Sequence, residues 1–274
     1  MELILEMFSH TFIVRAMIVG LLVSLCAALL GVSLVLKRYA MIGTGLSHVG
    51  FAAMAIAGVI DMAELTLALP VVVAAAFLLL RVSDSSKIKG DSAVALISTG
   101  SLAIGVIVVS LTTGLTLHIC NVMFGSIFAM TQATVQLSVV LSIVVIVLFV
   151  LFYKQLFAVT YDETFARATG TKTWIYKTLL ALLTAVTVVL GMQMMGALLI
   201  ASLTLFPALT AMRLCKRFLS VVIMAAVIGV SCFFVGMVFS FQFDLPPGAS
   251  VVGVNLVIFS VFSAIGFFKN GGLA

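Results

Sequence analysis

Charge is what this chain has least of. Only 8% of its 274 residues are Asp, Glu, Lys or Arg, against 64% hydrophobic, and the mean hydropathy is +1.39. A soluble globular domain carries about 25% charged residues. A water-exposed fold is therefore excluded, and the net charge of +5 is a topological signal, not a nucleic-acid footprint. Long polar stretches are also missing; the longest is YKQLFAVTYDETFARATGTKT at 153–173. Cysteine is thin and scattered: Cys26, Cys120, Cys215 and Cys232, with no CxxC. That removes a zinc knuckle and a redox pair; three of the four lie in or beside apolar segments, where cysteine acts as a small hydrophobe. No GxxxxGK[ST] pattern occurs, and Gly170-Thr171-Lys172-Thr173 lacks the Gly-rich loop, so the chain does not hydrolyse ATP by that route. There is no HExxH. Ser47 and His48 are adjacent, about 100° apart on a helix, and cannot form a nucleophile–base pair. A basic n-region is absent too: Glu2 and Glu6 stand there, so the first apolar segment reads as retained, not as a signal peptide.

What is present is a series of apolar runs. They predict an all-α polytopic membrane helix bundle of about nine spans, with eight as the alternative count, forming one transmembrane domain over 1–274. The spans are near 12–36, 37–60, 65–80, 92–113, 133–152, 174–190, a seventh after the GMQMMG bend that contains Pro207, then 219–241 and 251–268. Residues 114–131 are too short and broken for a span and read as a short helix or a re-entrant piece. Alternating sides puts every Lys and Arg except Arg15 on one face, while Glu2, Glu6, Asp61, Glu64 and Asp244 fall on the other. The cation-rich face is then cytoplasmic, with the N-terminus outside and the C-terminus inside.

The stretch KRYAMIGTGLSHVGFAAMAIAGVI, 37–60, holds one imidazole among many small residues. Small residues let helix backbones approach closely, and an ionisable group inside such a span is a functional-site hypothesis. His48 lies ten residues past Arg38, about 15 Å if helical, near the middle of a ~30 Å hydrocarbon core. Thr44 and Met41 share its face. The alternative is a histidine that only hydrogen-bonds a neighbouring helix. In the longest polar loop, Tyr161-Asp162-Glu163 precedes Thr164–Gly170, with acids first, Arg167 later and glycine last. That order fits a short helix with favourable dipole placement, either a docking element for a soluble partner or a plain solvated loop.

Three stretches carry a family resemblance. KRYAMIGTGLSHVGFAAMAIAG resembles the second span of the ABC-3 family, the permeases of zinc, manganese and iron ABC importers. DETFARATG looks like that family's coupling loop, and GALLIASLTLFPALTAMRL with DLPPGASVV is similar to its late segments. The resemblance runs nearly the whole chain in order. It implies a permease of the type II ABC-importer kind in a prokaryotic plasma membrane, moving a divalent metal ion by alternating access and binding no cofactor itself. The implied partners are an ABC ATPase subunit that holds the ATP, an extracytoplasmic metal-binding protein and a second permease copy. Nucleic acid is not among them. Asp162, Glu163, Ala166 and Gly170 are then the ATPase-coupling residues of the 153–173 loop, and Pro246 and Gly248 a structural turn.

One departure stands out. The family commonly reads Gly-Asp-x-Leu-x-His, with Asp and His four apart passing the metal. This sequence keeps His48 but has Thr44 in the Asp position. A hydroxyl is a poorer ligand than a carboxylate, so the path is altered, the specificity shifted, or His48 vestigial. His118 and Cys120, on the outer side, are either helpers for an arriving ion or ordinary loop residues. Rival functions are a permease for a larger chelate of the siderophore or cobalamin type, an ion-gradient-driven secondary transporter, and a membrane scaffold or sensor. Against the secondary transporter stands the lack of any Asp or Glu in a span core.

Overall fold

In the computed structural model residues 11–85, 90–111 and 132–269 are described, and they are helical almost throughout. The order is α1 Thr11–Leu36, α2 Ile42–Val59, α3 Glu64–Ser85, α4 Gly90–Ser110, α5 Gln132–Leu151, α6 Tyr153–Tyr161, α7 Glu163–Ala168, α8 Thr173–Met195, α9 Ala197–Leu214, α10 Phe218–Phe243 and α11 Pro247–Lys269. Long apolar runs have no water to satisfy their backbone, so each closes its own hydrogen bonds as a helix. Among the described residues, eight of these helices are long and apolar enough to cross a membrane, and the apolar run of α3, Leu65–Arg81, is shorter.

Side-chain register settles whether α3 crosses. Gly45 lies against Val94, His48 against Ser98, and Phe51 and Ala52 against Gly105. Both number series rise together, so α2 and α4 run parallel, and α3 must carry the chain back between them. At 22 residues it is ~33 Å long, enough to do so. The same reasoning makes α1 antiparallel to α10, through Gly20 on Phe233 and Ala28 on Gly229. It also makes α1 antiparallel to α8, through Gly20 on Met195 and Val23 on Gly191. Helix α1 is the centre of the bundle, packed by α5, α8, α9 and α10.

The cation-rich loops gather at one end of the bundle. Lys37 and Lys177 share a small cavity with Leu34, Leu80 and Ala76. Phe218, next to Lys216 and Arg217, packs at a tilt against the rings of Tyr153 and Phe157, with centroids 5.6 and 4.7 Å away. Helix α4, parallel to α2, finishes at the opposite end, and α5, which ends beside Tyr153, starts there. The chain therefore leaves α4 and enters α5 at the same end of the bundle, and the expected short helix or re-entrant piece at 114–131 lies outside the described residues.

Helix ends are closed by one recurring device. Tyr39 N–H donates to Leu34 C=O, Met62 to Ala57, Thr171 to Ala166 and Leu245 to Ser240. Each is the wide bond of a Schellman closure, whose pivot residue needs a left-handed backbone. The pivots are Arg38, Asp61, Gly170 and Asp244, all at positive φ.

Two expectations change. The reversal between the sixth and seventh spans is not spread over GMQMMG: α8 runs on to Met195 and the turn is made at Gly196 alone, φ 85° and ψ 158°. Only glycine takes such angles without strain. The late turn is likewise displaced. It comprises Asp244, Leu245 and Pro246, whose carbonyl receives Ser250 N–H. Pro247 opens α11 as a first-turn proline, so Gly248 already lies within the helix.

Candidate functional site

Helix α2 begins at Ile42, not at Arg38, because residues 37–41 form the closure and turn after α1. His48 is therefore six residues into an 18-residue helix, about 9 Å from its start and ~17 Å from its end. It lies about 4 Å from the middle of α2, on the side of the cation-rich end. Its Nδ1 is 2.7 Å from Ser98 Oγ on α4. That contact lies between two close approaches, Gly45 to Val94 and Gly105 to Phe51, which lock the two helices in register on either side. The sequence offered no signal for Ser98, since pairing across helices depends on register.

One imidazole nitrogen is thus occupied within the protomer. When Nδ1–H donates to Ser98, the lone pair on Nε2 is left for another group. Thr44, one turn earlier, shares the half-buried face with His48, and Met41 before it is exposed. Behind this face, Gly43 touches Thr204 of α9, so α9 backs α2 immediately before Thr44. Among the described residues no group of three or more His, Cys, Asp and Glu side chains is placed to hold a metal ion. The donor groups this face presents are the His48 imidazole and the Thr44 hydroxyl. His118 and Cys120 lie outside the described residues.

The second feature is the 153–173 segment. It contains two helices, not one. Helix α6 was legible in YKQLFAVTY, because Leu156, Val159 and Thr160 recur at helical spacing and are the residues it buries. Burial pushes the Tyr153 phenol above its ordinary range, so it stays neutral where its ring meets Phe149 and Phe218. Asp162 is extended and caps α7: its Oδ1 accepts from Phe165 N–H at 2.9 Å. Gly170 ends the helix at φ 84°. Ala166 is fully buried against the bundle.

Of the four coupling residues expected from the sequence, Asp162 and Gly170 are exposed, Glu163 is half-buried and Ala166 is buried. Asp162 and Gly170 shape α7, Ala166 packs it down, and Glu163 turns to the bundle. Glu163 Oε1 accepts from Lys177 Nζ at 3.2 Å and from Arg167 Nη2 at 3.4 Å, and Oε2 lies 3.7 Å from Lys37 Nζ. The outward surface also carries three exposed rings among polar residues: Tyr161 is 79% exposed, Phe165 65% and Trp174 74%. In the sequence, Tyr161 and Phe165 lie within the longest polar loop and Trp174 directly follows it.

Known proteins resemble this chain along its whole length. The model of the ABC 3 transport family matches residues 9–266. The probable iron transport system membrane protein of Haemophilus influenzae is 30% identical over 95% of this chain and 92% of its own. The manganese transport system membrane protein MntC of Halalkalibacterium halodurans is 27% identical over 93% and 88%. Among solved structures, PsaBC from Streptococcus pneumoniae in complex with Fab superimposes with a TM-score of 0.84 at 24% identity, covering 97% of this chain and 94% of that one. An inward-facing metal-chelate type ABC transporter gives 0.76 at 15% identity, covering 92% and 86%. Both structural likenesses speak for the helix arrangement derived above. With a family model spanning nearly all of its length, the chain belongs to the ABC 3 transport family.

Proposed function

We propose that this chain is the membrane-spanning subunit of an ATP-driven importer for a divalent transition-metal ion. Manganese and iron are the leading substrates, since those ions name the relatives it matches. One observation in the structure carries the reading furthest. A single imidazole, held at Nδ1 by Ser98, lies on a half-exposed face of a membrane helix that is otherwise closely packed. Polar groups at this depth face protein or a water-filled path, not lipid. The face with Thr44 and His48 is therefore the wall of a path, and a second copy of the chain supplies the opposing wall. Such an arrangement suits alternating access: two copies rock against each other, and the ion touches His48 in passage. ATP is hydrolysed on partner subunits, and an extracytoplasmic binding protein delivers the ion. The test is ATPase activity of the complex reconstituted with its partner subunits, measured with manganese, iron and zinc in turn. Stimulation by manganese or iron is expected; an ATPase indifferent to all three, with the delivery protein present, would refute the reading.

The cation-rich end is the cytoplasmic end, with the N-terminus outside and the C-terminus inside, and the partner ATPase docks on Tyr161, Phe165 and Trp174. Exposed aromatic rings on a charged, membrane-adjacent surface are the composition of a protein contact, not of a solvated loop. One variant checks both statements. In a background lacking the four native cysteines, Trp174→Cys is expected to react with an impermeant thiol reagent only from the cytoplasmic side. Bound ATPase should slow that reaction at least tenfold. Labelling from outside would reverse the topology; labelling unaffected by the ATPase would move the docking surface elsewhere.

A further inference from the structure

We propose that Glu163 is the positioning residue that transmits movement of α7 to α2, acting through Lys37. This rests on the importer reading above.

Helix α7 has two faces with different work. Phe165 points outward, beside Tyr161 at the end of α6, whereas Glu163 points to the bundle, where one carboxylate meets cations from two different elements. Lys177 belongs to the first turns of α8. Lys37 belongs to the connector between α1 and α2. Their side chains are 8% and 9% exposed, and that of Glu163 33%. Two ammonium groups so enclosed are screened less by solvent than a surface pair, so their contacts with the carboxylate are firmer than those of an exposed ion pair. The Arg167 contact, on the exposed flank, adds little.

The connector is stiff, which gives the Lys37 contact its reach. Tyr39 N–H is bonded to Leu34 C=O at 2.8 Å, and Ile42 N–H to Tyr39 C=O at 3.0 Å. A pull on Lys37 therefore arrives at the first residue of α2 without slack, two residues before Thr44 and six before His48. Lys37, Ile42 and Leu46 line one small cavity with Lys177 and Thr184. That cavity is only about 10 Å³, no more than a single water would need, so the start of α2 packs directly on α8 beside the Lys37 connector. The Lys177 contact serves as the fixed side of the joint, since α8 is clamped farther along to the central helix α1 by Val23 at Gly191.

A purely structural tie would fasten α7 to the bundle and nothing more. The two roles separate in Lys37→Gln, which removes the arm to α2 while Glu163 keeps Lys177. In proteoliposomes containing the permease with its partner ATPase, and with manganese as the probe ion, Lys37→Gln is expected to lower metal imported per ATP hydrolysed at least tenfold. The amount of ATPase bound should stay within twofold of wild type. Glu163→Gln should uncouple to the same degree, and the double variant should be no worse than either single one, because both cut the same link. Wild-type import per ATP in Lys37→Gln overturns the proposal. So does loss of bound ATPase in Lys37→Gln, which would make the contact part of docking, and so does an additive double variant. A wild-type complex that binds no ATPase or imports no metal would instead refute the importer reading, with the uncoupling never in question.

Discussion

Replacing His48 with alanine is expected to lower metal uptake at least tenfold while the folded complex survives. Inside the protomer the substitution removes one hydrogen bond, the one to Ser98. Hydrogen bonds between membrane helices average ~0.6 kcal/mol. The remaining Ser98 hydroxyl can turn to a carbonyl of its own helix. Close packing at Gly45 and Gly105 keeps α2 and α4 in register without the histidine. A large fall in uptake with a small fall in stability therefore marks a ligand, and equal falls mark a tie between helices. His48→Gln sharpens the distinction, since an amide can still meet Ser98 but binds a divalent metal poorly. Uptake restored by glutamine would assign His48 to packing. Thr44→Asp is expected to increase metal retained by the complex, because it places a charged oxygen one turn from the imidazole. Turnover then depends on whether the ion still leaves easily, so retention is the quantity to measure.

Span positions were legible because an apolar run long enough to cross a bilayer has one favourable outcome, a helix. Helix α7 was legible for the same kind of local reason: Asp162 can cap and Gly170 can end it, and both do. What the sequence concealed was direction. A carboxylate beside an acidic neighbour in a polar loop reads as outward, yet Glu163 is drawn inward by Lys37 and Lys177, one distant in sequence and the other fourteen residues on. The start of α2 was concealed as well. Residues 37–41 have no apolar break to mark them, and only the left-handed backbone at Arg38 shows that helix α1 has closed and α2 has not begun. Ser98 was invisible because its pairing depends on how α2 and α4 slide past one another.

Gly31→Ala is expected to cost about 3 kcal/mol or more, and Gly31→Val to leave no folded permease. A Cβ built at Gly31 would lie 2.0 Å from the Thr204 carbonyl oxygen, 2.9 Å from its carbonyl carbon and 3.2 Å from its Cα. These are backbone atoms of α9, so no rotamer change relieves the clash and the two helices must separate. Separation has consequences beyond the pair. Thr204 also touches Gly43, and its hydroxyl, bonded to Ala201 C=O at 2.8 Å, is 2.9 Å from the space a Gly43 Cβ would take. One residue of α9 thus sits in a notch cut by glycines on α1 and α2, directly behind Thr44. In a bilayer, where lipid is as apolar as the helix surface, association depends on such close packing. The control is Gly100→Ala on α4, where a Cβ would meet nothing within 4 Å; alanine's better helix propensity makes it neutral or stabilising by up to ~1 kcal/mol. Thermal unfolding in detergent compares the two. Melting of Gly31→Ala at the temperature of Gly100→Ala would show that α1 and α9 do not approach this closely, and the notch behind Thr44 would have to be abandoned.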